Sequence, residues 1–139
     1  MPQTIKDVMT ESPIALAQDT SVHDAARRIR DADIGDVLVM DDGRLCGMVT
    51  DRDLVVRALA DGRDPAQTTV GEICSNEVIS VGPDDDIGRA VDLMRRHALR
   101  RLPVVDDGRP VGVVSLGDLA VDRDPSSALA DISAAEPNG

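Results

Sequence analysis

The chain is 139 residues long, carries a formal net charge of −11 and contains no Phe, Tyr or Trp. A chain of this length makes one compact unit or two half-units of about 55 to 60 residues, each marginal alone; its core has to be built from Val, Ile, Leu, Met and Ala, with no ring for a base or sugar to stack on. The acidic balance opposes a nucleic-acid backbone and an anionic membrane surface, so neither nucleic acid nor membrane is expected as a partner.

The opening MPQTIKDVMTESP has no basic region followed by an apolar one, and no later segment approaches the roughly 18 apolar residues of a membrane span, which points to a cytoplasmic protein. Thr4 and Asp7 have the spacing of a capping box and predict a short helix. The branched stretch PIALA reads as a strand. Ser21 then caps a helix whose apolar positions Val22, Ala25, Ala26 and Ile29 recur at helical spacing. DVLVM and LCGMV are strands joined by the Asp-Gly turn of DDGR, a hairpin. A closing helix starts near Thr50 and carries Leu54, Val55, Ala58 and Leu59, and the polar DGRDPAQT, residues 61–68, reads as an exposed linker.

The same order then returns. Thr69 and Glu72 repeat the capping box, VISV the strand, and Asp86 the cap of a helix bearing Ile87, Ala90, Val91 and Met94. LPVVD, DDGR and PVGVV repeat the hairpin, and a last helix starts near Ser115 with Leu119 inside it. The echo is literal in places: GMVTDRDL at 47–54 answers GVVSLGDL at 112–119, a step of 65 that also carries Ile14 onto Ile79 and Ala25 onto Ala90. The layout is therefore a first domain over 4–60, a linker over 61–68, a second domain over 69–123 and a partly disordered tail over 124–139.

Candidate chemistry outside the echo is thin. Cys46 and Cys74 are too few for a disulfide scaffold and lack zinc-site spacing; their apolar neighbours suggest buried thiols. One falls in a strand and the other in a short helix, so spacing lends no support to a disulfide between them. His23 and His97 each stand alone, Asp84-Asp85-Asp86 reads as a helix-capping turn, and no Walker loop or nucleophile with an evident base is present. No catalytic residue, no metal site and no required cofactor is expected.

The pieces VMTES, DIGDVLVMDDGRLCGMVTDRDL and HALRRLPVVDDGRPVGVVSLGDL resemble a tandem pair of cystathionine beta-synthase domains, the CBS pair or Bateman module, over residues 4 to 122. The resemblance implies an α/β (α+β) fold of two tandem repeats, each a small sheet with flanking helices, packed about a pseudo-twofold axis with a cleft on each side. It also implies a homodimer and a regulatory module that senses AMP, ADP, ATP or S-adenosylmethionine in those clefts, answering to a protein partner that the sequence does not name. The alternative is an interaction or assembly protein of the same fold without a ligand.

In the echo, Thr50 or Ser115 is followed at the third place by Asp53 or Asp118. The resemblance gives the acid to the two ribose hydroxyls and the hydroxyl residue to phosphate; an ionised carboxylate does offer two acceptors to a vicinal diol, and a helix start favours an anion. The same spacing is that of a capping box, and that reading stays open. By resemblance, Arg101, Ser115 and Asp118 share a cleft with Ile14, Ile34 and Gly35, while Thr50 and Asp53 face Ile79 and Arg100. Arg101 is matched in the first copy by Asp36, so one cleft favours phosphate and the other repels it unless Arg52 or Arg100 compensates.

Overall fold

The computed structural model describes residues 3–74 and 78–123. Its first helix, α1 (Ile5–Val8), starts at Thr4 through a capping box with Asp7. Two short strands follow, β1 (Thr10–Glu11) and β2 (Ala15–Ala17), and then α2 (Val22–Ala32), whose N-cap Ser21 accepts the Asp24 N–H at 3.1 Å. Strands β3 (Asp36–Asp41) and β4 (Arg44–Thr50) form a hairpin. Beyond β4 lie one turn of α-helix, α3 (Asp51–Asp53), and a π-helical stretch over Leu54–Leu59. The second half runs α4 (Val70–Ile73), α5 (Ile87–His97), β5 (Arg101–Asp106), β6 (Arg109–Ser115) and α6 (Leu116–Arg123).

Both hairpin turns place two central residues at positive φ, Asp42 at 50° with Gly43 at 80° and Asp107 at 51° with Gly108 at 80°. That is the turn whose twist matches the flanking strands, which explains why DDGR occurs twice. Each ladder also slips by one residue near its turn, between Val39 and Met40 and between Val104 and Val105.

The chain divides into two compact units, one continuous over Ile14–Val78 and one split between the residues up to Pro13 and those from Ile79 on. In the continuous unit the sheet order is β2-β3-β4, with β2 parallel to β3. Leu16, Ala25, Ile29, Val37, Val39 and Val49 lie in its core, closed from one side by Val70 and Ile73 of α4. That helix is anchored by backbone bonds from the Val70 N–H to the Thr20 carbonyl (2.8 Å) and from the Gly71 N–H to the Gln18 carbonyl (2.9 Å).

In the split unit the order is β1-β6-β5, and Val81 adds one parallel bridge to Val104. Its core holds Ile5, Ile87, Ala90, Met94, Leu102, Val104, Val114 and Leu119. Helix α1 is anchored as α4 is, its Ile5 and Lys6 N–H groups donating to the carbonyls of Asp85 (3.0 Å) and Pro83 (2.9 Å). Each unit therefore closes its core with the short capped helix that precedes the other copy in sequence. Truncating a fully enclosed side chain such as Leu102 to Ala costs about 2–5 kcal/mol in cores of this kind.

Four local expectations change. VISV does not form a strand: only Val81 pairs, through that single bridge. Asp86 stands at the N-cap of α5 without a side-chain cap bond; Asp85 instead accepts the Gly82 N–H at 2.8 Å, and this tight turn aims the helix. The closing helix of the first copy is mostly π-helical where that of the second is an ordinary α-helix. The linker is exposed up to Gln67, but Thr68 is buried and its carbonyl takes the Val22 N–H, so its end belongs to the continuous unit. The expected tail over 124–139 lies outside the described residues.

Candidate functional site

The duplicated element has the same geometry in both units. Thr50 ends β4 and starts α3; its backbone N–H donates to Asp53 Oδ2 at 2.9 Å, and the Asp53 N–H donates back to Thr50 Oγ1 at 3.1 Å. Ser115 ends β6 and starts α6, with the Ser115 N–H on Asp118 Oδ2 at 2.9 Å and the Asp118 N–H on Ser115 Oγ at 3.1 Å. Both are reciprocal capping boxes. The capping alternative is thus realised at both positions, with one oxygen of each carboxylate committed to the cap.

The next N–H in each copy docks onto the loop before the first hairpin strand. Asp51 donates to the Gly35 carbonyl at 3.0 Å, and Leu116 donates to the Arg100 carbonyl at 2.8 Å. Gly35 and Arg100, both expected site residues, are therefore brought beside the hydroxyl-x-x-Asp element of their own unit. Strand register adds the next neighbour: Asp36 pairs with Thr50, and Arg101 pairs with Ser115. Neither Asp36 nor Arg101 is an unpaired charge. Arg52 is exposed on the first turn of α3, its N–H donating to Asp51 Oδ1 at 2.8 Å.

The aliphatic candidates serve the cores as well. Ile14 and Ile34 pack against the core of the continuous unit, and the Ile14 carbonyl accepts the Leu38 N–H at 2.9 Å; Ile79 packs against the core of the split unit. By compact unit, Ile14, Ile34, Gly35, Thr50, Arg52 and Asp53 fall in the continuous one and Ile79, Arg100, Arg101, Ser115 and Asp118 in the split one. An open apolar groove of about 370 Å³ begins immediately beyond Ser115, lined by Leu116, Leu119 and Ala120 of α6 and by Val91 and Met94 of α5.

One residue of the site was missed from sequence. Arg57 Nε stands 3.7 Å from Asp53 Oδ1, one helical turn on, while its Nη1 donates to the Ile73 carbonyl at 3.2 Å. The i,i+4 acid–base spacing was the available signal. The second copy has an acid, Asp122, at the matching sequence position. Among the described residues, no group of three or more His, Cys, Asp and Glu side chains is arranged to hold a metal ion, and no helix is long and apolar enough to cross a membrane.

A family model described as the CBS domain matches residues 5–59 and again 70–121. CBS domain-containing protein YhcV of Bacillus subtilis is 40% identical over 134 residues, which is 94% of this chain and 95% of that one. Hypoxic response protein 1 of Mycobacterium tuberculosis is 36% identical over 84% of this chain and 82% of its own. Its crystal structure, with two coordinated zinc ions, superposes with a TM-score of 0.77 at 35% identity, covering 86% of this chain and 98% of that one. The CBS domain pair of protein MJ0100, solved in complex with 5′-methylthioadenosine and S-adenosyl-L-methionine, gives 0.81 at 26% identity over 91% of this chain and 100% of that one.

Proposed function

This chain belongs to the CBS-domain family and carries two copies of the domain, and from that premise we propose that it senses an adenosine-containing ligand of the AMP, ADP, ATP or S-adenosylmethionine type. CBS pairs are regulatory ligand-binding modules, and the similar pair of MJ0100 is in complex with two adenosyl compounds. The observation that carries the reading is the placement of Arg101, Ser115 and Asp118 together at one strand-to-helix junction. A carboxylate, a hydroxyl and a fixed cation there suit a ribose and its phosphate.

In this reading the protein is a non-catalytic cytoplasmic homodimer that takes its signal from the ligand. Free Cys46 and Cys74 fit a reducing compartment. Val55, Val56 and Leu59, exposed at 55%, 47% and 68%, supply an apolar face suited to a second copy. Calorimetry with AMP, ADP, ATP, 5′-methylthioadenosine and S-adenosylmethionine tests the ligand; saturable heat with at least one of them is expected, and none with all five rejects it.

The assembly reading without a ligand keeps one observation in its favour. Both carboxylates already hold the N–H of their own cap residue, work that explains the motif with nothing bound. It predicts silent calorimetry together with an intact dimer.

A further inference from the structure

Two thiols come together inside the continuous unit although their elements gave no sign of it. Cys46 lies in β4, partly buried against the core that Cys74 joins; Cys74, 7% exposed, caps the C-terminus of α4, which packs on β4. The Cys74 Sγ donates to the Gly71 carbonyl at 3.6 Å, and Cys46 packs against the same core cluster that holds Cys74. Burial first, then the neighbouring Cys46, pushes the Cys74 thiol up from its ordinary range. Neither cysteine serves the hydroxyl-x-x-Asp elements directly.

We propose that Cys46 and Cys74 form a reversible intramolecular disulfide on exposure to a peroxide, making the continuous unit a redox-responsive site. The more exposed Cys46 is attacked first: its sulfur takes one peroxide oxygen to become a sulfenic acid and one water leaves. The Cys74 sulfur then displaces that hydroxyl as a second water, closing the S–S bond. In sum, two thiols and one hydrogen peroxide give one disulfide and two waters, the peroxide accepting both electrons. A burial-raised thiol keeps little thiolate at neutral pH, so the second step is slow and gathers speed as the solution becomes more alkaline.

The bond ties β4 to the end of α4 and closes the loop between them, which limits the unfolded chain. It also holds the segment whose Ile73 carbonyl anchors Arg57, the cation beside Asp53. The redox state thereby reaches the Thr50–Asp53 element, whether or not that element binds a nucleotide.

The test uses the full chain, whose only two cysteines are these. The reduced protein is treated with hydrogen peroxide and its free thiols are then counted under denaturing conditions, with mass measured before and after. The expected result is loss of both thiols together, a monomer-size chain about 2 Da lighter whose peptide map links Cys46 to Cys74, recovery with dithiothreitol, and a melting temperature raised by about 5 °C. Cys46→Ser and Cys74→Ser should abolish the mass change. Oxygen adducts on Cys46 with Cys74 still free, or disulfides found only between chains, would overturn the proposal, and both are read on the unmutated protein.

Discussion

Arg101 stands directly across the β5–β6 ladder from Ser115, and the same register in the other unit sets Asp36 across from Thr50. Directly opposed residues have Cβ atoms about 4.5–5.5 Å apart, so each hydroxyl has a charge beside it, and the two charges are opposite. An anion reaching Ser115 meets a planar, permanent cation. One reaching Thr50 meets a like charge, a penalty of up to about 4 kcal/mol at about 4 Å with an effective dielectric near 20. Titration with AMP should find one tighter site per chain, which Arg101→Ala weakens about tenfold or more while adenosine binding barely changes. Asp36→Ala should strengthen the weaker site. Two equal sites, or equal losses for AMP and adenosine, would contradict this.

Asp118 carries a cap as well as a candidate ligand contact, so its variants separate the two roles. Asp118→Ala removes the acceptor for the Ser115 N–H and should cost about 0.5–2 kcal/mol of stability along with affinity. Asp118→Asn keeps an acceptor oxygen but not the charge; it should melt near the wild type and still bind an adenosyl ligand more weakly by about 1–2 kcal/mol. Calorimetry paired with thermal melts reads both, and wild-type affinity in Asp118→Asn would leave the residue as a cap alone.

The exposed apolar face beyond α3 is where the proposed dimer can be tested. Leu59 is 68% exposed in the single chain, and a charge there would have to be desolvated if a second copy covers it. Leu59→Asp should convert a dimer into a monomer at micromolar concentration while leaving the melt of the isolated chain little altered. Sedimentation velocity distinguishes the cases; a wild type that is already monomeric defeats the prediction.

Asp7 and Glu72 are both held below their ordinary ranges, chiefly by accepting the backbone N–H of Thr4 and Thr69. A depressed carboxylate contributes stability that is present above its unfolded value, 3.8 for Asp7 and 4.5 for Glu72, and is lost as pH falls through the folded one. Melting temperature should therefore drop as pH goes from about 5 toward 3. Asp7→Asn and Glu72→Gln should each flatten part of that drop, and a profile identical to the wild type in both would remove the caps from the account.

Gly112 shows where space is scarce. A Cβ there would sit 2.6 Å from Met9 Sδ and 2.7 Å from the Thr10 carbonyl oxygen, so β1 can lie along β6 only because position 112 has no side chain. Met9 is flexible, but the strand carbonyl is not. Gly112→Ala should destabilise the split unit by about 1–3 kcal/mol, measurable by urea denaturation; an unchanged midpoint would mean that β1 is free to leave the sheet.

Much was legible before the fold was seen, because it is encoded within a few residues. Thr4 with Asp7, Ser21, and the two DDGR turns declare helix starts and hairpins through local backbone chemistry, and the step of 65 declares the duplication. The hydroxyl-x-x-Asp element was visible for the same reason. The π-helical stretch after α3 and the loss of a strand at VISV were not, since both depend on what the segment packs against. Arg57 was overlooked because its role becomes apparent only when the Ile73 carbonyl arrives from 16 residues away.

The sequence alone determined the family, the two copies and the residues at each strand-to-helix junction, all of which follow from short-range patterns repeated along one chain. Only the tertiary structure decided which short helix closes which core, and that Cys46 and Cys74 pack in the same one. α1 completes the unit holding β5 and β6, and α4 completes the unit holding β3 and β4. The reason is that a half-unit this small cannot exclude water from its own sheet. The apolar faces of Ile5 and of Val70 with Ile73 are therefore buried wherever a matching core is exposed, a choice that no local pattern records.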